Sequence, residues 1–395
     1  MNRFRAMNAC VMNRWFVGGV ALGVGALILG GCASAQRDGA VAPLTVTASS
    51  PLDVVAEFPH QQVTGVAVSR AGRVFANFPY WSDGHTVSVV EVRPDGVQQP
   101  YPNTDWNRKT GPEAERFVCV QSVFVDETDT LWIVDAGSPK QTGVVEGGAK
   151  LVKVNLASNQ VAQVIHFDRS LAPAQSYLND VRIDLQNNFA FLTDSNLGAI
   201  LMVDLANEQA KRVLENDPSV KPEPNLQLTV DGTALIDPEK QQPLAIASDG
   251  IALDPEGRWL YYKALTGRML YRVPLDDFEA SLRSDVDLSN RVERVGQVGA
   301  SDGLAFHDGR IYVTAIERDA VMRYDPATQQ SEVLVRDERL KWPDSVAFGP
   351  DGALYVTTSQ IHLTPKFNRG ASRVEEPYRV FRVPREEVAT GPLAE

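Results

Sequence analysis

Ser345-Val346-Ala347-Phe348-Gly349-Pro350-Asp351-Gly352-Ala353-Leu354-Tyr355-Val356-Thr357-Thr358 reads as a short apolar strand, a tight Asp-Gly turn and a second strand rich in β-branched and aromatic residues. The chain writes this phrase six times. The other copies begin at Val66, Val123, Val181, Ile251 and Leu304, and successive starts lie 57, 58, 70, 53 and 42 residues apart. A repeat at roughly this period marks a propeller or a solenoid.

Each copy is followed by a second pair of strands, such as 87–92 with 97–101 and 150–154 with 161–167. Four antiparallel strands per unit make a propeller blade. The sixth unit has one later strand only, 378–383, and the segment 52–58 is expected to supply its fourth. That pairing closes the ring and leaves no bare sheet edge between the first and last blades. The expected fold class is therefore all-β: a six-bladed β-propeller of four-stranded antiparallel blades over residues 51–385, with 386–395 as a C-terminal tail. The 24 prolines and 29 glycines, and the lack of a long amphipathic helical run, agree with a turn-rich β domain.

The first residues read differently. Arg3, Arg5 and Arg14 form a basic region without acids, 16–29 is an apolar stretch, and Leu29-Gly30-Gly31-Cys32 follows. Small residues directly before a cysteine at the end of such a stretch resemble a bacterial lipobox. Residues 1–31 are read as a lipoprotein signal peptide, Cys32 as the lipidation site and 32–50 as a flexible tether. An ordinary signal peptide or a membrane anchor is the alternative. Ala33 after the cysteine suggests the outer membrane, with the protein facing the periplasm. The formal net charge of −12 repels phosphate backbones and excludes nucleic acid as a natural partner. Membrane contact is expected through the N-terminal lipid only, and the protein is expected to be a monomer. Cys10, Cys32 and Cys119 are too few for a disulfide framework or a usual cysteine zinc site.

Topology sorts the loops. The short Asp-Gly turns fall on one face and look structural. The longer segments 78–86, 136–149, 214–247 and 359–377 fall on the other, where function usually sits. A polar residue recurs two positions before each innermost strand's first apolar residue: Thr64, Gln121, Asn179, Asp249, Asp302 and Asp344. In a propeller these positions approach the mouth of the central channel. Converging carboxylates need a positive partner or a shared proton. The oxygens suit a divalent cation, calcium above others, because calcium takes six to eight oxygen ligands in flexible geometry. A metal-free polar pocket and plain capping of the Asp249-Gly250 and Asp302-Gly303 turns are the other readings. Tyr80, Trp81 and Lys263 are candidates for the pocket wall, and His85 and His362 lie on the same loop-rich face. Cys119, between Val118 and Val120, reads as a buried thiol.

The motifs Arg116-Phe117-Val118-Cys119-Val120-Gln121-Ser122-Val123, Leu131-Trp132-Ile133-Val134-Asp135-Ala136-Gly137, Tyr177-Leu178-Asn179-Asp180-Val181-Arg182-Ile183-Asp184 and Ser248-Asp249-Gly250-Ile251-Ala252-Leu253 resemble the major royal jelly protein/yellow family. The resemblance covers most of residues 55–360 and implies a six-bladed propeller. Bacterial members carry a dopachrome-tautomerase-related label, and insect salivary members bind small amines in the end of the channel. A wider kinship is with the regucalcin/gluconolactonase propellers, which hold a divalent cation through a Glu, an Asn and an Asp and hydrolyse sugar lactones. Asn179 and Asp249 match two of those ligands; Thr64 stands where the pattern has Glu.

Three functions follow as expectations. The first is binding of a small polar or cationic molecule by Asn179, Asp249, Asp302, Asp344 and Gln121. The second is a metal-dependent lactonase or a dopachrome-tautomerase-like isomerase, with Asp249 and Asp302 as acid and base. The third is a protein-interaction scaffold. If Cys32 carries lipid, the native protein partitions into the detergent phase of a Triton X-114 extraction, and Cys32→Ala moves it to the aqueous phase.

Overall fold

The computed structural model describes residues 52–284, 286–385 and 388. The signal peptide, Cys32, the tether and all of the tail but Val388 lie outside the described residues. Six four-stranded antiparallel sheets form the blades. Their innermost strands are Gly65–Val68, Val120–Val125, Leu178–Asp184, Ser248–Leu253, Ser301–His307 and Pro343–Phe348, for blades I to VI in turn. Each innermost strand packs beside the next, and that of blade VI packs beside that of blade I, so the ring is closed. Asp53–Phe58 pairs antiparallel with Tyr378–Val383 and forms the outer strand of blade VI.

The blades stay together because their broad faces are apolar. Six clusters of buried side chains fill the six seams, such as Trp132, Leu151 and Ile165 of blade II against Leu178, Leu192 and Leu201 of blade III. Burial of a side chain of this size contributes about 1.5–3 kcal/mol. Blade IV departs from the simple pattern: the helix Leu275–Arg283 sits between its third and fourth strands. Asp276 and Asp277 in its first turn suit the helix dipole, and the buried Phe278 docks on Phe191 of blade III, with ring centroids 4.9 Å apart. The segment 214–247 folds into two short hairpins, Thr229–Val230 with Thr233–Ala234 and Ile236–Asp237 with Gln242–Pro243.

At the start of the innermost strand, blades II to VI each carry a register shift of one extra residue. A bulge of this kind re-aims side chains and tightens the local twist. Here it brings neighbouring innermost strands very close. A Cβ on Gly303 would lie 2.4 Å from the Asp344 carbonyl oxygen, and one on Gly250 2.6 Å from that of Asp302. Glycine at these two sites is a packing requirement of the ring, and the Asx-turn reading of Asp-Gly does not explain it. Gly303→Ala is accordingly expected to lower stability by about 1–3 kcal/mol, as overpacking does elsewhere. Chemical denaturation checks this, with Gly84→Ala as control: Gly84 is not in the left-handed region, and a Cβ there would meet nothing nearer than 3.6 Å.

Candidate functional site

The bulges carry Gln121, Asn179-Asp180, Asp249, Asp302 and Asp344 to the axis. Asp249, Asp344, Asp302 and Asp180 are only 3%, 4%, 5% and 7% exposed. Asn179 Nδ2 donates to Asp249 Oδ2 at 2.8 Å. Trp342 Nε1 donates to Asp302 Oδ2 at 2.7 Å, and Ser122 Oγ to Asp180 Oδ1 at 2.8 Å. The contact between the Asp249 and Asp302 carboxyls raises the first and lowers the second. Burial first, then the negative charges of Asp302, Asp180 and Asp344, hold the Asp249 carboxyl well above the usual range. Burial raises Asp302 to about 6, opposed by the Trp342 and Asp249 hydrogen bonds. Asp344 is raised well above the usual range by burial and by the charge of Asp302.

Two cations face these acids. Lys263 is fully buried; its Nζ donates to the Ala264 carbonyl at 2.7 Å and the Ser301 carbonyl at 3.4 Å. Burial pulls it down to about 7 against the attraction of Asp249 and Asp302. Arg182 lies on the other side of Asp180, 4.0 Å from its Oδ2. Its guanidinium reaches from blade III to the Leu304 carbonyl of blade V and sits 5.1 Å over the Phe124 ring. The recurring polar position pointed to Asn179 and passed over Asp180 and Arg182. A signal was available. The position of Arg182 holds Ala67, Ala252, Ala305 and Ala347 in four other blades. Four alanines around an axis leave room for one long side chain to cross it.

The remaining candidates separate. Thr64 is fully buried; it accepts from Asn77 Nδ2 at 3.0 Å and donates to the Gln121 carbonyl at 3.1 Å. Gln121 Oε1 accepts from Tyr177 at 2.9 Å, and the Tyr177 hydroxyl accepts from Trp81 Nε1 at 2.6 Å. Tyr80 and Trp81 pack around Cys119, Ala136 and Tyr177 beside blade II, and burial pushes the Cys119 thiol up to about 12. His85 stacks on Tyr80, with ring centroids 5.1 Å apart. Trp342 was not anticipated. It stacks on His362 at 5.8 Å, and His362 Nε2 meets Asp231 Oδ2 at 2.9 Å. Asp231 also accepts from Lys341 Nζ at 2.7 Å, so the tip of the first small hairpin pins the cover over Asp302.

A divalent ion needs several oxygens around one point. Among the described residues no three His, Cys, Asp or Glu side chains are grouped to hold one. Asn179 Nδ2 donates to Asp249 Oδ2, which leaves Asn179 Oδ1, the atom that would ligate an ion, for another partner, while the Thr64 hydroxyl is engaged twice. The Glu-Asn-Asp ligand set is incomplete at this axis, because Thr64 stands where it has Glu.

The short-turn face is hollowed at the axis. A cavity of about 320 Å³ is lined by the outer halves of the innermost strands and by turn residues such as Glu127, Gln186 and Pro255, with Asp180 and Arg182 among its lining residues.

The chain belongs to the major royal jelly protein family, whose model matches residues 118–385. It is 24% identical over 233 residues to major royal jelly protein 7 of Apis mellifera, a match covering 51% of this chain and 49% of that one. It is 33% identical over 119 residues to a 6-deoxy-6-sulfogluconolactonase of Pseudomonas putida, covering 29% of this chain and 39% of the relative. The chain thus matches less than half the length of either relative. Among solved structures it resembles regucalcin, a calcium-binding protein of Agrobacterium tumefaciens, with a TM-score of 0.52 at 15% identity over 86% of this chain and 95% of that one. A gluconolactonase of Xanthomonas campestris gives a TM-score of 0.51 at 11% identity over 85% and 89%. At such identities the likeness is one of fold.

The acid cluster sets a pH signature. A raised carboxyl holds its proton in the folded state where the unfolded chain has already lost it. Its stabilising contribution is present at low pH and is lost as pH rises through the folded value, about 6 for Asp302. Lys263 acts oppositely: between about 7 and its ordinary 10.5 the unfolded chain holds a proton that the native state lacks, so this contribution rises with pH. Asp249→Asn keeps the shape and the donor toward Asp302 while removing one titration. It is expected to raise the melting temperature by several degrees at about pH 8 and to leave it nearly unchanged at about pH 4. Calorimetry across pH checks this.

Proposed function

We propose that the chain is an envelope-anchored propeller that takes a small cationic or polyhydroxylated molecule at the acid cluster on its axis. One observation carries the reading: four buried aspartates, Asp180, Asp249, Asp302 and Asp344, stand against two buried cations, Arg182 and Lys263. A dry cluster with surplus carboxyls either holds protons or takes a partner that supplies positive charge or hydroxyl donors. A cation would displace the shared protons; a polyol would donate to the carboxylate oxygens. Ligand entry from the loop face needs the Trp342–His362 cover to lift. A lipid on Cys32 would hold the propeller at the outer membrane, facing the periplasm, and the propeller would act as a monomer.

A second reading is opening of a sugar lactone, and the Asp249/Asp302 pair and the Pseudomonas putida relative favour it. Water would attack the lactone carbonyl while Asp302 takes the water proton. The ring C–O bond would break, and Asp249 would give its proton to the departing alkoxide. The substrate would be a neutral lactone, because the acids repel a sulfonate.

Titration calorimetry of the purified protein against putrescine, choline, glucose and gluconolactone tests both readings. Binding of at least one of them, weakened about tenfold or more in Asp249→Ala/Asp302→Ala, is the expected result. Binding that survives the double substitution would falsify the placement. Gluconolactone opening lost in Asp302→Asn, with binding retained, would move the assignment to the hydrolase.

A further inference from the structure

We infer that the cover over the acid cluster is a gate that mild acid opens, with His362 as its trigger and Asp231 as its latch. The inference rests on the acid cluster being the site, as proposed above, but the opening itself is measurable without a ligand.

The cover is built from connections and not from blade strands. Trp342 belongs to the connection into blade VI, His362 to the helical turn Ile361–Leu363, and Asp231 to the tip of the hairpin Thr229–Val230 with Thr233–Ala234. The Trp342 and His362 rings are nearly parallel, with 16° between their planes. The indole N–H ties this pair to Asp302 at the axis, and the imidazole Nε2 ties it to Asp231. Asp231 also accepts from Lys341, whose Nζ reaches Asp319 Oδ2 at 2.8 Å. Leu228, Val230 and Leu235 of the hairpin segment pack in one cluster with Trp342, so hairpin and indole move as a unit. The backbone is strained in this arrangement. Trp342 has a φ of 52°, and Gln360, which precedes the helical turn, has a φ of 51°. The left-handed region is costly for a side chain as bulky as tryptophan, and such strain persists only while its surroundings hold it.

The trigger follows from where a proton can go. Burial would raise the Asp231 carboxyl, but the bonds from Lys341 and His362 hold it below its ordinary value. Asp231 is therefore charged, and the Nε2 that faces it carries the ring proton. A second proton has to go to Nδ1. That atom is buried, and among the described residues it has no hydrogen-bond partner. An imidazolium N–H left there without an acceptor is disfavoured, whereas in water it is satisfied. The charges around the ring agree. Burial pulls His362 below its ordinary 6.5; Asp231 and Asp319 oppose this, and Lys341 adds to it. Asp302 meets the indole and not the imidazole, and from its own loop Asn368 meets the His362 carbonyl. The closed cover thus binds the second proton less readily than the open one. Above the ordinary histidine range the closed form is favoured, and as pH falls below it the balance shifts to the open form.

Fluorine NMR of the intact protein labelled with 5-fluorotryptophan tests the inference. The Trp342 signal is assigned through Trp342→Phe, and its solvent exposure is taken from the shift between H2O and D2O. Between about pH 7.5 and about pH 5 the Trp342 signal is expected to lose its protection. Trp132, 1% exposed in a blade seam, is expected to keep its own. His362→Gln offers Asp231 an amide donor and takes no proton, so Trp342 is expected to stay protected across the range. Asp231→Asn removes the charged latch, and Trp342 is expected to be exposed already at about pH 7.5. A parent Trp342 still protected at about pH 5, equal exposure in His362→Gln, protection retained in Asp231→Asn, or loss of protection at Trp132 together with Trp342 would each overturn the gate. Titration calorimetry separates the two readings. Acid exposure of Trp342 without binding of any compound supports the gate and ends the acid-site reading, while binding without acid exposure ends the gate alone.

Discussion

The close approach of the six innermost strands governs this molecule. At their bulged starts the strands come near enough that two positions exclude any Cβ. Every seam is also crossed by a side-chain hydrogen bond. Asn77 donates to the Val120 carbonyl, Ser122 to Asp180 and Thr193 to the Asp249 carbonyl. Lys263 donates to the Ser301 carbonyl, Trp342 to Asp302 and Thr357 to the Thr64 carbonyl. Buried backbone carbonyls at a bulge lose ladder partners, and leaving them unpaired costs about 1–3 kcal/mol each. The polar residues near the axis are thus part of the ring's construction as well as candidates for chemistry.

That double role explains the electrostatics. Acids drawn inward by the bulges cannot all ionise in a dry interior, so protons are shared and Lys263 and Arg182 stand close by. Ionic clusters of this kind rarely add net stability over apolar packing. A chain that needed only to close its ring could do so with threonine and asparagine, as blade I does with Thr64 and Asn77. The excess of carboxyls in blades III to VI therefore points beyond architecture, to a function for perturbed acids.

The period of the strand–turn–strand phrase was enough to read six blades, since each copy repeats strand propensity, turn chemistry and alternation together. The polar ring was legible for the same reason: equivalent register positions in a symmetric fold share one axis. The bulge was not legible, because a one-residue insertion leaves no mark in a short strand. Asp180 consequently looked like a neighbour of Asn179, although the extra residue brings it to the axis as well. Trp342 was hidden because it reaches the site from a connection whose path no period describes, and His362, legible as a residue of the loop-rich face, could not be placed beside it for the same reason. The cavity on the turn face escaped because turn length says nothing about how far the innermost strands splay below the turns.

The departure at Thr64 and the presence of Arg182 belong together. In the gluconolactonase-like pattern a carboxylate stands at the first blade and an ion balances the acids. Here the first blade offers a hydroxyl whose bonds are already used, while blades III and IV supply Arg182 and Lys263, the latter pulled down to about 7 by burial. A side-chain cation cannot be exchanged with solvent, and it cannot polarise a carbonyl while its donors are held by backbone oxygens. Part of the positive charge that faces these acids is thus carried by the covalent chain. What remains adjustable are the protons of Asp249, Asp302, Asp344 and Lys263, and proton transfer at the acid cluster runs among them.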